Sequence, residues 1–159
     1  MNYTQTLEFL FQSLPAFETK GATAYKPGLE RITAFCRHIG NPQRNFFTIH
    51  VAGTNGKGSV SHIIASVLQQ AGYRTGLFTS PHLVHFAERC QINHQPVAEA
   101  TLCQHFAKVE AARGDTTLSY FEFTTLAILD CLAHANPEVV ILEVGLGGRL
   151  DAVNLIDTD

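Results

Sequence analysis

Residues 46–59 read Phe46-Phe47-Thr48-Ile49-His50-Val51-Ala52-Gly53-Thr54-Asn55-Gly56-Lys57-Gly58-Ser59. The opening part, Phe46 to Val51, is short and β-rich, the pattern of a strand. It runs directly into the glycine-rich segment Gly53 to Ser59. Val60, Ile63, Ile64, Val67, Leu68 and Ala71 then follow at helical spacing, with Gly72 as the stop. A strand that hands over to an amphipathic helix through glycines suits an anion. Glycines let backbone N–H groups face it, and the helix N-terminus adds positive potential. Lys57 is placed to reach the β- and γ-phosphate oxygens of a nucleotide. The strict Walker A spacing needs Gly at position 51 and Ser or Thr at 58. Val51 and Gly58 stand there instead, so the loop is a shortened variant. An ordinary glycine-rich turn is the alternative, and the flanking strand, helix and Lys57 favour phosphate.

Outward from this stretch, strands and helices alternate. Tyr3, Leu7, Leu10, Phe11 and Leu14 give a helix over 2–14, followed by a loop over 15–28. Leu29, Ile32, Phe35, Cys36 and Ile39 mark a second helix that ends at Gly40. Thr75 to Thr79 reads as a strand closed by Ser80-Pro81. Arg89 to Ile92 reads as a short strand with a turn at Asn93. Val97 to Arg113 reads as a helix with Leu102, Phe106 and Val109 inward and Gly114 as its stop. Ser119 and Glu122 form a capping box before Phe123 to Ala135, which is apolar on most sides. Val139 to Val144 shows no alternation, the mark of a central parallel strand covered on both faces. The expected fold is α/β: a three-layer, P-loop-type arrangement with a mostly parallel sheet flanked by helices. No repeat, linker or shift in composition divides the chain.

Composition removes other classes. The chain has 159 residues, 45% of them apolar and 16% charged, which fits a globular protein. The formal charge of −3 and the lack of a basic stripe argue against nucleic acid as a partner. The uncharged stretch Gly58 to Tyr73 contains His62, Gln69 and Gln70, so no membrane span is expected. Met1 to Phe11 lacks a basic region and carries Glu8, unlike a secretory signal. Cys36, Cys90, Cys103 and Cys131 show no CxxC spacing and read as reduced thiols of a cytoplasmic protein. The histidines form no HxxxH or HExxH pattern, so no zinc site is expected.

Two further residues join the glycine loop. Ser80 follows a strand, where a hydroxyl suits a metal or phosphate and a Ser-Pro turn is the plainer reading. Glu143 ends the run Val139-Val140-Ile141-Leu142, where an unpartnered carboxylate is costly to bury. It is either a Mg²⁺ ligand or part of an ion pair, with Arg149 as the partner. Gly53–Ser59, Ser80 and Glu143 all fall at the carboxyl ends of expected parallel strands, the edge of an open sheet where ligands bind. Elsewhere, Tyr120-Phe121 is an aromatic wall or core packing, and Lys26-Pro27-Gly28 is a lid or a connector. Arg149 and Asp151 are candidates to pair with each other. His82 and His85 read as surface or packing residues.

The stretch Ile49 to Val60 resembles the phosphate loop of the folylpolyglutamate synthase/dihydrofolate synthase family, within the Mur ligase superfamily. The resemblance continues in Lys26-Pro27-Gly28-Leu29-Glu30-Arg31, Thr79-Ser80-Pro81-His82-Leu83, Tyr120-Phe121-Glu122 and Glu143-Val144-Gly145-Leu146-Gly147-Gly148-Arg149-Leu150-Asp151-Ala152. It implies an ATP- and Mg²⁺-dependent ligase. In that family a pterin carboxylate is phosphorylated by ATP and the amine of L-glutamate displaces the phosphate. By resemblance, Gly53, Thr54, Asn55, Gly56, Lys57, Gly58 and Ser59 would bind ATP, with Lys57 acting in catalysis, and Ser80 and Glu143 would hold the metal. Tyr25, Lys26, Pro27, Gly28, Leu118, Ser119, Tyr120, Phe121, Leu150, Asp151 and Ala152 match segments that line the pteroate pocket. Substrates would be dihydropteroate or folate and L-glutamate. Val153 stands where the family often has Thr. Members of the family are about three times as long, so residues 1–159 would be an incomplete ATP-binding domain without its glutamate-binding partner. A stand-alone nucleotide-binding module and a cell-wall Mur ligase are the competing readings. Sheet edges left open by truncation would favour self-association.

Overall fold

A computed structural model describes residues 2–14 and 28–155. Five helices are described: α1 (Tyr3–Ser13), α2 (Glu30–His38), α3 (Lys57–Gln70), α4 (Glu99–Arg113) and α5 (Tyr120–Ala135). The strands are β1 (Phe47–Val51), β2 (Thr75–Phe78), β3 (Cys90–Ile92), β4 (Gln95–Pro96) and β5 (Val139–Glu143). They form one sheet in the order β1-β5-β2-β3-β4. β5 pairs in parallel with both β1 and β2, while β3 and β4 add an antiparallel hairpin beside β2. The three parallel strands are those expected from sequence. β4 is the addition, two residues long and turned back at Asn93 and His94, both at positive φ.

Burial follows from alternation along the strands. Phe78, Val140 and Leu142 face a large core built with α5, α4, α2 and α1, and Leu77 and Ile141 face α3. Phe78, Phe123, Leu126 and Leu129 are buried to within 2% of complete, each contributing about 1.5–3 kcal/mol of transfer free energy. Helix α5 is enclosed along its whole middle, from Glu122 to Leu132. Its start is fixed by the expected capping box: Glu122 N–H donates to Ser119 Oγ at 3.2 Å, and Ser119 N–H donates to Glu122 Oε2 at 2.8 Å.

Helix α3 corrects the sequence reading. Val60, Ile63 and Val67 belong to the apolar stripe, yet they are exposed, and so is Ala71. The face turned to the sheet carries Ser61 and Ala65, with Ile64 and Leu68 half-buried. The larger apolar side chains of this helix therefore lie outward, and the sheet-facing side is made of small or half-buried residues. Among the described residues, no helix is long and apolar enough to cross a membrane.

Candidate functional site

The parallel register brings three segments to one edge. Val51 pairs with Glu143, and Phe78 pairs with Leu142. The glycine loop, Ser80 and Glu143 therefore leave the sheet side by side.

Local structure explains why the loop is open to an anion. Gly56 is the residue before α3 and sits at φ +77°, a conformation that disfavours a side chain. No side chain caps this helix, so the first N–H groups of α3 keep their hydrogens free for a ligand. Lys57 is the first residue of the helix, and it is half-buried. Gly53, Thr54, Asn55 and Ser59 are exposed around it.

Glu143 closes the other side. It is 6% exposed, and its Oε2 accepts the Ser80 N–H at 2.9 Å. A Cβ placed on Gly58 would lie 3.7 Å from both carboxylate oxygens, so the carboxylate looks across at the start of α3. Among the described residues Glu143 forms no ion pair, with Arg149 or any other cation. The Ser80 loop is itself held. Glu88 accepts the N–H groups of Leu83, Val84 and His85 at 2.7–3.0 Å, and these bonds, that of His85 first, keep its carboxyl below the usual range. His82 accepts from Arg89 Nε at 2.9 Å, and its ring packs on Phe86.

A second wall adjoins the first. Phe121 stacks on Phe78 with ring centres 6.4 Å apart. It approaches the backbone so closely that a Cβ on Gly145 would sit 2.6 Å from its ring, while the same Cβ would lie 3.3 Å from Asp151 Oδ2. Phe121, Gly145 and Asp151 thus meet just beyond Glu143. Asp151 is buried and does not pair with Arg149. It accepts the N–H groups of Leu146 at 2.6 Å and Val153 at 3.0 Å. Burial pushes its carboxyl above the usual range, against the pull of these backbone donors.

The remaining candidates divide. Leu118 is fully buried, Ser119 and Tyr120 are half-buried, and the Tyr120 ring stacks on Phe11 at 5.4 Å. Leu150 is exposed and Ala152 buried. Gly28 is described, and Tyr25, Lys26 and Pro27 lie outside the described residues. Two contacts were not foreseen. His50 on β1 meets the Val153 carbonyl at 3.0 Å; a carbonyl only accepts, so Nε2 carries the proton. Arg31 donates to Glu122 at 2.9 Å. These pairs are 103 and 91 residues apart, beyond any local signature. A cavity of about 620 Å³ lined by Arg44, Phe46, Tyr73 and Pro137 lies at the opposite, amino edge of the strands.

The chain is 46% identical over 132 residues to the dihydrofolate synthase/folylpolyglutamate synthase of Escherichia coli, which covers 83% of this chain and 31% of that protein. It superposes on the structure of E. coli FolC in complex with DHPP and ADP with a TM-score of 0.89 at 39% identity, covering 99% of this chain and 36% of that one. A structure of a bifunctional folylpolyglutamate synthase/dihydrofolate synthase with Mn, AMPPNP and L-glutamate bound gives a TM-score of 0.88 at 39% identity. That match covers 100% of this chain and 37% of the other. No protein-family model matches. The chain belongs to the dihydrofolate synthase/folylpolyglutamate synthase family. It spans about a third of the length of these relatives. The fold expected from the family, a mostly parallel sheet flanked by helices, is the one observed. Val153 is 1% exposed, and its carbonyl accepts the His50 Nε2–H.

Proposed function

We propose that this chain forms the ATP-binding part, and most of the pterin-binding part, of a ligase that joins L-glutamate to dihydropteroate or to folates. The observation that carries this reading is the buried Glu143 carboxylate, which has a backbone donor but no cation and faces an uncapped helix start. The α3 N–H groups and Lys57 would bind the β- and γ-phosphates. Lys57 would also hold the γ-phosphate in line with the carboxylate of the pterin-bearing substrate. Transfer gives an acyl phosphate and ADP; the glutamate nitrogen then attacks the acyl carbon and phosphate leaves. Such a reaction needs charge neutralisation and positioning, not a protein nucleophile.

A divalent metal fits the residues present. Carboxylate and hydroxyl oxygens are hard donors, and the absence of a side chain at Gly58 leaves space before Glu143. Ser80 and Glu143 would hold Mg²⁺, which supplies neutralisation of phosphate charge. Among the described residues no cluster of three His, Cys, Asp or Glu is gathered for a metal. The other ligands would therefore be phosphate oxygens, water or residues outside this set. Phe121 and Asp151 would seat the pterin ring, the first by stacking and the second by accepting its N–H groups. All four cysteines are free, in keeping with a cytoplasmic protein.

Calorimetric titration of the 159-residue chain with MgATP and with dihydropteroate tests this reading. Binding of both is expected. Lys57→Ala weakens MgATP at least about tenfold, the size of a lost charge-assisted bond, with no change in melting temperature. Unchanged nucleotide affinity would remove Lys57 from the site. The chain alone is expected to make no glutamyl product, and turnover of dihydropteroate and glutamate would overturn that division of labour.

A further inference from the structure

The loop between β2 and β3 is held by hydrogen bonds where packing cannot hold it. Leu83 and Val84 at its tip are 92% and 73% exposed, so burial of apolar side chains does not fix the tip. The base is closed beside the strands: Thr79 N–H donates to the Arg89 carbonyl at 3.3 Å, and Thr79 Oγ1 donates to the Glu88 carbonyl at 3.4 Å. The tip hangs mainly on one side chain. Glu88 Oε1 accepts the N–H groups of Val84 at 3.0 Å and His85 at 2.7 Å, and Oε2 accepts that of Leu83 at 2.8 Å. The short 3₁₀ turn Phe86–Arg89 needs only the His85 bond at its start. The other two bonds do something else: they tie the tip of the loop to its base. Backbone N–H bonds to a carboxylate are charge-assisted, about twice as strong as neutral ones. His82 adds one more tie, accepting from Arg89 Nε. Between the tip and β2 lies Ser80, whose N–H donates to Glu143 Oε2 at 2.9 Å. Among the described residues this is the one hydrogen bond that orients the Glu143 carboxylate.

We infer that Glu88 is a positioning residue for the metal side of the nucleotide site: by gripping Leu83, Val84 and His85 it fixes the loop that aims the Ser80 N–H at Glu143, and so presents the other Glu143 oxygen to a divalent cation. This rests on the reading of Glu143 as a metal ligand, which its burial without a counter-charge supports. Both Glu88 oxygens are taken by the loop, so Glu88 acts through Ser80 and Glu143 and is no ligand itself.

The test measures ATP binding to the 159-residue chain by calorimetry, once with Mg²⁺ and once with the metal chelated. The readout is the ratio of the two affinities. Glu88→Ala removes all three bonds to the tip. Glu88→Gln keeps one acceptor oxygen where the carboxylate has two. The wild-type chain is expected to bind ATP more tightly with Mg²⁺ than without it. Glu88→Ala is expected to cut that enhancement about fivefold or more, the size of one lost hydrogen bond. Metal-free ATP affinity stays within about twofold, because the start of α3 binds phosphate from another element. Amide exchange accelerates at residues 80–85 and not in β2 or β5. Glu88→Gln falls between Glu88→Ala and the wild type. Equal loss of affinity with and without Mg²⁺ would mean a merely structural carboxylate, and the inference would fail. Faster exchange at 80–85 with an unaltered Mg²⁺ enhancement would also overturn it, since the loop would then be independent of Glu143. Wild-type affinity for ATP that ignores Mg²⁺ would instead refute the metal reading of Glu143 itself, and this inference with it.

Discussion

Asp130 and Glu143 are equally buried, each 6% exposed, and the fold treats them in opposite ways. Asp130 on α5 has its two oxygens taken by His105 Nδ1 and Lys108 Nζ of α4, both at 2.6 Å. Glu143 at the end of β5 has one backbone N–H and no cation among the described residues. A buried carboxylate without a counter-charge costs several kcal/mol. At Asp130 the chain offsets that cost within itself, so the cluster ties two helices together. At Glu143 the cost is left standing at the mouth of a glycine loop, and positive charge from outside would relieve it. Burial alone does not separate a structural acid from a functional one; the source of the counter-charge does.

The sharpest way to break this comparison is to neutralise each acid. Glu143→Gln is expected to weaken MgATP binding about 100-fold, as removal of a key electrostatic group does, with stability unchanged or raised. Asp130→Asn is expected to leave MgATP affinity within about twofold and to lose about 2–4 kcal/mol of stability, below the full buried-pair figure because Lys108 is half-exposed. Calorimetry and urea unfolding measure the two. An Asp130→Asn chain that folds stably and fails to bind nucleotide would erase the distinction.

The Asp130 cluster also carries a pH signature. The bond to Asp130, and then that to Cys131, raises His105 to about 9. The Cys90 S–H bond, and then His105, lowers Cys131 to about 6 against the upward push of burial. Burial pushes Asp130 up, but His105 and Lys108 outweigh it and hold it below the usual carboxylate range. A raised imidazole contributes stability that is complete below its unfolded value of about 6.5 and is lost as pH rises through about 9. A lowered thiol contributes stability that is complete above its unfolded value and lost as pH falls through about 6. Between these limits the two act in opposite senses, since the proton His105 holds is the one Cys131 gives up. Wild-type stability is therefore expected to be nearly flat from pH 6.5 to 9 (the span of these shifts). Cys131→Ser removes one side of the balance, and its melting temperature should fall by roughly 3–6 °C across that span. Parallel curves for the two proteins would show that no such pair exists.

Local patterns were legible where one strand or helix settled them. The apolar run Val139 to Leu142 announced a strand covered on both faces, and β5 is that strand. Ser119 and Glu122 announced the start of α5. The position of Glu143 beside the glycine loop followed from the same reasoning, since parallel strands end together. The helix α3 was legible too, but not the face it turns to the sheet: Ser61 and Ala65 are buried, while Val60, Ile63 and Val67 are exposed. What was missed joins distant residues. His105 and Asp130 come from two helices, and Arg31 and Glu122 from segments 91 residues apart. Each of these side chains looks like an ordinary surface charge until the helices pack. Arg149 and Asp151 were candidates to pair by proximity, yet backbone donors claim Asp151.

The smallest expected effect tests whether the proposed nucleotide and pterin sides of the mouth are separate. Gly145 lies two residues beyond Glu143, and a Cβ there would meet the Phe121 ring at 2.6 Å. Gly145→Ala forces that ring to shift, an overpacking cost of about 1 kcal/mol in stability. Dihydropteroate affinity should fall a few-fold, because Phe121 and Asp151 both border the added methyl. MgATP affinity should hold, because the atoms nearest the added methyl belong to Phe121 and Asp151. Calorimetry with both ligands reads the difference. Equal loss of both would mean that β5 transmits strain from one side to the other, and that Glu143 and the Phe121 wall belong to one inseparable site.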